Sequence, residues 1–140
     1  MTEVTTEVTV EDYSYFTAQE LAAALPMYRL TATQYDVWNT LLGAMQRGGW
    51  VPLTLEEISD RLGAYPSNIS PALSVLRDRG LVWKEGAGLW RINPQVAFRG
   101  TIEEWNEALA TIPDSVPEVL IPQYKRRPPR ARKRASVRAA

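Results

Sequence analysis

One short pattern constrains the fold of this chain more than any other. Thr is followed three residues later by Glu or Gln at Thr17/Glu20, Thr31/Gln34, Thr54/Glu57 and Thr101/Glu104. The first backbone N–H groups of a helix have no acceptor inside it. A threonine hydroxyl accepts from one of them, and the Glu or Gln side chain accepts from the threonine N–H in return, so each pair predicts a helix start.

Periodicity fills in what the starts imply. After Thr31, Tyr35, Trp38, Leu41, Leu42 and Met45 make one apolar stripe, and Gly48-Gly49 is the expected stop. From Thr54, Leu55, Ile58 and Leu62 face inward over barely two turns, and Gly63 takes the left-handed closing position. A third helix presents Ile69, Leu73 and Leu76 inward and stops at Gly80. Its Pro71 is tolerated in a first turn, which puts the cap at Ser67 or Asn68. The last helix, from Thr101, places Ile102, Trp105 and Leu109 on one face.

Between the third and last helices, "LVWKEGAGLWRI" alternates on both sides of Glu85-Gly86-Ala87-Gly88, two short strands around a hairpin loop. Trp50-Val51 is a candidate third strand. Helix, short helix, tight turn, third helix and hairpin is the order of a winged helix-turn-helix, whose third helix enters the DNA major groove while the hairpin flanks it. The expected fold class is mainly α with a small β-hairpin (α+β), with flexible termini.

The 140 residues divide accordingly. Residues 1–16 form an acidic, mostly unfolded arm, although Val8, Val10, Tyr13 and Tyr15 have the residue types of an added edge strand. Residues 17–112 form the winged-helix domain, with its core at 30–100. Residues 113–124, with Pro113, Pro117 and Pro122, form an extended linker into a basic tail at 125–140. The net charge of zero hides this asymmetry: every charge up to residue 28 is negative and every charge from residue 125 is positive. A basic block at one end implies a polyanionic partner.

The expected DNA contacts follow from these placements. With Ile69, Leu73 and Leu76 inward, Ser67, Pro71 and Ser74 point outward, flanked by Asn68, Ser70 and Arg77. Only Asn68 and Arg77 among them can make bidentate base contacts; the serines and the helix start suit phosphates. Lys84 and Arg91 on the hairpin strands, with Gly86 and Gly88 keeping the tip slim, are expected at the sugar–phosphate edge, and Arg99 is a further phosphate candidate. Lys125, Arg126, Arg127, Arg130, Arg132, Lys133 and Arg134 of the tail would add affinity by counterion release, with little sequence choice.

"YPSNISPALSVLRDRGLV" and "RINPQVAFRG", within residues 30–101, resemble the winged-helix plasmid replication and maintenance proteins of the RepL type, and the helix-turn-helix half is similar to MarR-like transcription regulators. The resemblance implies double-stranded DNA as partner, origin recognition as the role, and promoter binding as the alternative. Within "RINPQVAFRG", Asn93, Pro94, Val96 and Phe98 read as structural: they close the hairpin and return an apolar edge to the core.

Other classes are disfavoured. The chain has no His and no Cys, which removes His-based triads, His- or thiolate-bound zinc and disulfides. "GAG" lacks the rest of a phosphate-loop or dinucleotide motif. No enzyme activity, catalytic residue, metal or cofactor is expected. The start "MTEVTTEVTVEDY" does not look like a secretory signal and no apolar run is long enough for a bilayer, so the expectation is a cytoplasmic protein away from membranes. Trp105 and Leu109 form a candidate docking stripe, so homodimerisation through the N-terminal or last helix, and a third reading as a protein-interaction adaptor, remain open.

Overall fold

The computed structural model describes residues 14–119. In chain order the elements are β1 (Ser14–Thr17), α1 (Gln19–Ala24), a 3₁₀ turn (Leu25–Tyr28), α2 (Ala32–Ala44), β2 (Trp50–Val51), α3 (Leu55–Leu62), α4 (Pro66–Asp78), β3 (Val82–Gly86), β4 (Leu89–Ile92), β5 (Ala97–Gly100) and α5 (Ile102–Ala110). The class is α+β.

Three of the four threonine boxes close. Thr31, Thr54 and Thr101 receive N–H groups from Gln34, Glu57 and Glu104, whose side chains accept from the threonine N–H groups at 2.9, 2.8 and 2.8 Å. The fourth does not form. Thr17 instead ends β1, opposite Ala97, and α1 begins after Ala18 without a side-chain cap.

Helix ends depart from expectation in two places. α2 stops at Ala44, before the glycine pair, because Gln46 N–H turns back to the Trp50 carbonyl at 2.7 Å. Gly48 and Gly49, at φ of 90° and 86°, serve that turn rather than the helix end. α4 starts at Pro66 with Tyr65 as its cap, earlier than Ser67 or Asn68, so Pro71 lies inside the helix. Pro71 cannot donate to the Ser67 carbonyl, but Ser67 is exposed, where water can replace that bond.

The expected third strand is present: β2, β4 and β3 form an antiparallel sheet in that order. The pairing of β5 with β1, which puts Tyr15 opposite Arg99, was not foreseen from the sequence. Residues 1–13, with Val8, Val10 and Tyr13 of the acidic arm, lie outside the described residues.

The core lies between α2, α3, α4 and the inner face of the three-stranded sheet. Val37, Leu41, Ile58, Ile69, Leu76, Val82 and Ile92 are all fully buried there. On α5 the expected face is revised. Ala108 is its buried residue, Trp105 and Leu109 are half-buried, and Ile102 is exposed. Among the described residues no helix is long and apolar enough to cross a membrane.

Candidate nucleic-acid interface

The sequence separates α3 from α4 by three residues. Gly63, at φ 62°, lets the Ala64 N–H reach back to the Ser59 carbonyl at 3.0 Å, which turns the chain sharply out of α3. α4 then buries Ile69, Ala72, Leu73 and Leu76 and turns its other side to solvent. Ser67, Asn68, Ser70, Pro71 and Arg77 are exposed, as the sequence predicts, while Ser74 is half-buried. Tyr65, which sequence reasoning passed over, stands 77% exposed at the start of this helix. Its signal was available: an aromatic just before Pro66, outside the apolar period of α4. Arg61, at the exposed end of α3, belongs to the same turn.

The hairpin does not bring its two cations together. Trp50, Arg91 and Trp83 form one cross-strand row, and Val51, Trp90 and Lys84 form the next. Adjacent rows face opposite sides of a sheet. Lys84 is exposed, with its ammonium 5.9 Å from the Trp90 ring centre. Arg91 stacks on Trp50 at 4.3 Å and donates to the Gly48 carbonyl at 3.2 Å. Burial lowers its pKa from the usual arginine value, against the opposing pull of Glu85. It lines a cavity with Arg47, Glu104 and Glu107 on the α5 side, away from the row that carries Lys84.

The tip glycines serve the turn. Gly88 has φ 68°, and a Cβ there would lie 3.1 Å from the Thr54 methyl group, so the hairpin tip sits against the start of α3. Gly86 is exposed and open. Arg99 donates to the Met45 carbonyl at 3.1 Å, at the end of α2, which makes it a tether between β5 and α2.

The expected linker is docked over its first part. Residues 113–119 return along β3 and α4: Trp83, with Pro113, Val116 and Pro117 around it, is 7% exposed, and Val119 packs on the core. Residues 120–124 and the basic residues of the tail, Lys125 to Arg134, lie outside the described residues.

Charge divides sharply between body and tail. Residues 14–119 carry eight basic and twelve acidic side chains, a net of −4, while residues 125–140 carry eight basic and none acidic. Within the body, Arg47 pairs with Glu104, and Arg79 lies 4.7 Å over the Tyr28 ring. Arg29, Arg61 and Arg77 are exposed. Among the described residues, no group of three or more His, Cys, Asp or Glu side chains is placed to hold a metal ion.

A separate apolar pocket of about 200 Å³ opens between α1 and α2, lined by Leu21, Leu25, Trp38, Leu42 and Val96. No family model, no curated protein and no solved structure matches the chain.

Proposed function

We propose that this chain is a winged helix-turn-helix protein that binds double-stranded DNA. The observation that carries the reading is α4: thirteen residues hung from a short helix by a three-residue turn, with an apolar inner face and Ser67, Asn68, Ser70, Pro71 and Arg77 turned out beside a hairpin. An exposed helix of this kind fits the major groove, with Asn68 able to read a base edge, Arg77 able to reach either a base edge or a phosphate, and the serines and helix start able to meet phosphates. The sparse set of base-reading side chains favours recognition through paired half-sites or duplex shape over a dense base code.

A body of net charge −4 gains little from a polyanion. Affinity then rests on the tail, which exchanges counterions for its own eight cations. In this reading α4 chooses the site and the tail holds it.

Origin recognition in plasmid replication or maintenance is the favoured role, in a cytoplasmic setting. What supports it is the resemblance of the segment that holds Asn93, Val96 and Phe98 to the RepL-type proteins. The second reading, a MarR-like regulator, is favoured by the apolar pocket between α1 and α2, which suits a small effector. Genome-wide mapping of bound sites in the native host separates them. Sites clustered at a plasmid origin support the first, sites upstream of promoters the second. No enrichment on DNA would leave the adaptor reading, with Ile102, Trp105 and Leu109 on α5 as its docking stripe or as a homodimer contact.

A further inference from the structure

The docked segment 113–119 has a consequence for where the tail begins. A Cβ on Gly80 would clash with the Pro117 carbonyl and lie 3.5 Å from Val119, so the chain passes directly over the end of α4. Ser115, on the same segment, lines a notch of about 300 Å³ together with Arg77 of α4 and Lys84 of β3. Arg77, Lys84 and Ser115 are all exposed. Glu85 also lines the notch, and one of its oxygens accepts from the Trp83 indole N–H at 2.6 Å. The side chains that line the notch therefore include two cations and a hydroxyl against one engaged carboxylate, with Asp114 and Glu118 on the same segment outside that lining.

We propose that this notch receives a phosphodiester of the duplex, with Arg77 and Lys84 as its charge contacts and Ser115 as a hydroxyl donor, and that segment 113–119 fixes the root of the basic tail on the reading side of the molecule. The proposal rests on the DNA-binding reading above and adds a site to it. Helix α4, the strand β3 that follows it and the later segment 113–119 converge on one hollow, and a backbone phosphate is the anion that a duplex seated against α4 brings there. Lys125 is six residues beyond Val119, a reach of at most about 20 Å for an extended chain. The tail therefore meets the same duplex as α4, and its binding becomes intramolecular once α4 is seated.

The chain contains no cysteine, so single cysteines can carry an iron chelate that cuts nearby DNA with hydroxyl radicals. Full-length Ser115→Cys, Asn68→Cys and Ala23→Cys, the last on α1, are each loaded and bound to an end-labelled duplex recovered by selection from random sequences. Cuts from position 115 adjoining those from position 68, with none from position 23, are expected. Cutting from position 68 with none from position 115 overturns the notch while leaving the DNA reading intact. Failure of the wild-type chain to bind any duplex overturns both. As a second readout, Arg77→Ala/Lys84→Ala is expected to reduce the log–log salt slope of binding by about 1.8, two phosphates at about 0.9 each. An unchanged slope contradicts the proposal.

Discussion

The side-chain amide of Asn93 donates to the Gly80 carbonyl at 2.8 Å, and its oxygen accepts from the Gln95 N–H at 2.8 Å. Asn93 is 1% exposed, so one side chain ties the end of α4 to the turn after β4. Asn93→Ala strips a partner from both groups and is expected to cost about 1–3 kcal/mol for each one left buried. Urea unfolding measures it. Asn93→Asp keeps the acceptor but buries a charge beside a carbonyl, and should be no better. Stability unaffected by either change would remove Asn93 as the seam.

Gly80 and Gly63 both sit at positive φ, 77° and 62°, yet only Gly80 has chain packed over it. Gly63→Ala should cost about 1 kcal/mol, the left-handed penalty alone. Gly80→Ala adds the clash with Pro117 and should cost clearly more. Because it lifts segment 113–119 from Trp83, it should also red-shift and quench tryptophan emission well before global unfolding. Equal costs and unchanged emission would mean that the segment is not seated.

Arg91 and Lys84, alike in sequence, should behave oppositely. Arg91→Ala removes the stack on Trp50 and the bond to Gly48, lowering stability by about 0.5–2 kcal/mol while leaving the salt dependence of DNA binding unchanged. Lys84→Ala should leave stability within about 0.5 kcal/mol and lower the salt slope by about 0.9. The reverse pattern would put Arg91 at the DNA.

Their separation also marks the limit of what was legible in the sequence. A four-residue loop at Glu85–Gly88 sets Lys84 opposite Leu89 and leaves Lys84 and Arg91 on one face. The observed register puts Lys84 opposite Trp90 and Gly86 opposite Leu89, with a bulge between them. One extra residue moves a side chain across the sheet. The helix starts at Thr31, Thr54 and Thr101 and the inner face of α4 were legible because capping and the 3.6-residue period are local. The β1–β5 pairing joins Tyr15 to Arg99, and nothing local to either stretch encodes it. That pairing takes Thr17 into β1 and away from its box. The docked 113–119 segment was hidden by its prolines, which fit a docked extended chain as well as a free one.

Glu104 holds its carboxyl below the usual glutamate pKa, chiefly through the Thr101 N–H and then through Arg47. A lowered folded-state pKa means that the unfolded chain binds the proton more readily, so the stabilisation is present above the ordinary value of about 4.3 and fades as pH falls through the lowered folded value. The stability difference between wild type and Glu104→Gln should therefore be largest near neutrality and shrink on acidification across that window. A difference independent of pH would show that the ionised form makes no contribution.

The division of labour between α4 and the tail is tested most directly by titrating a labelled duplex, at physiological salt with excess random competitor, against the full chain, the full chain carrying Asn68→Ala, and a chain ending at residue 119. The full chain should bind with selectivity. Asn68→Ala should lose about 1–3 kcal/mol of discrimination but keep its salt slope, while truncation should flatten the slope and weaken all duplexes alike. No duplex binding by the full chain, or a truncated chain that binds as tightly and as salt-sensitively as the whole, would contradict it.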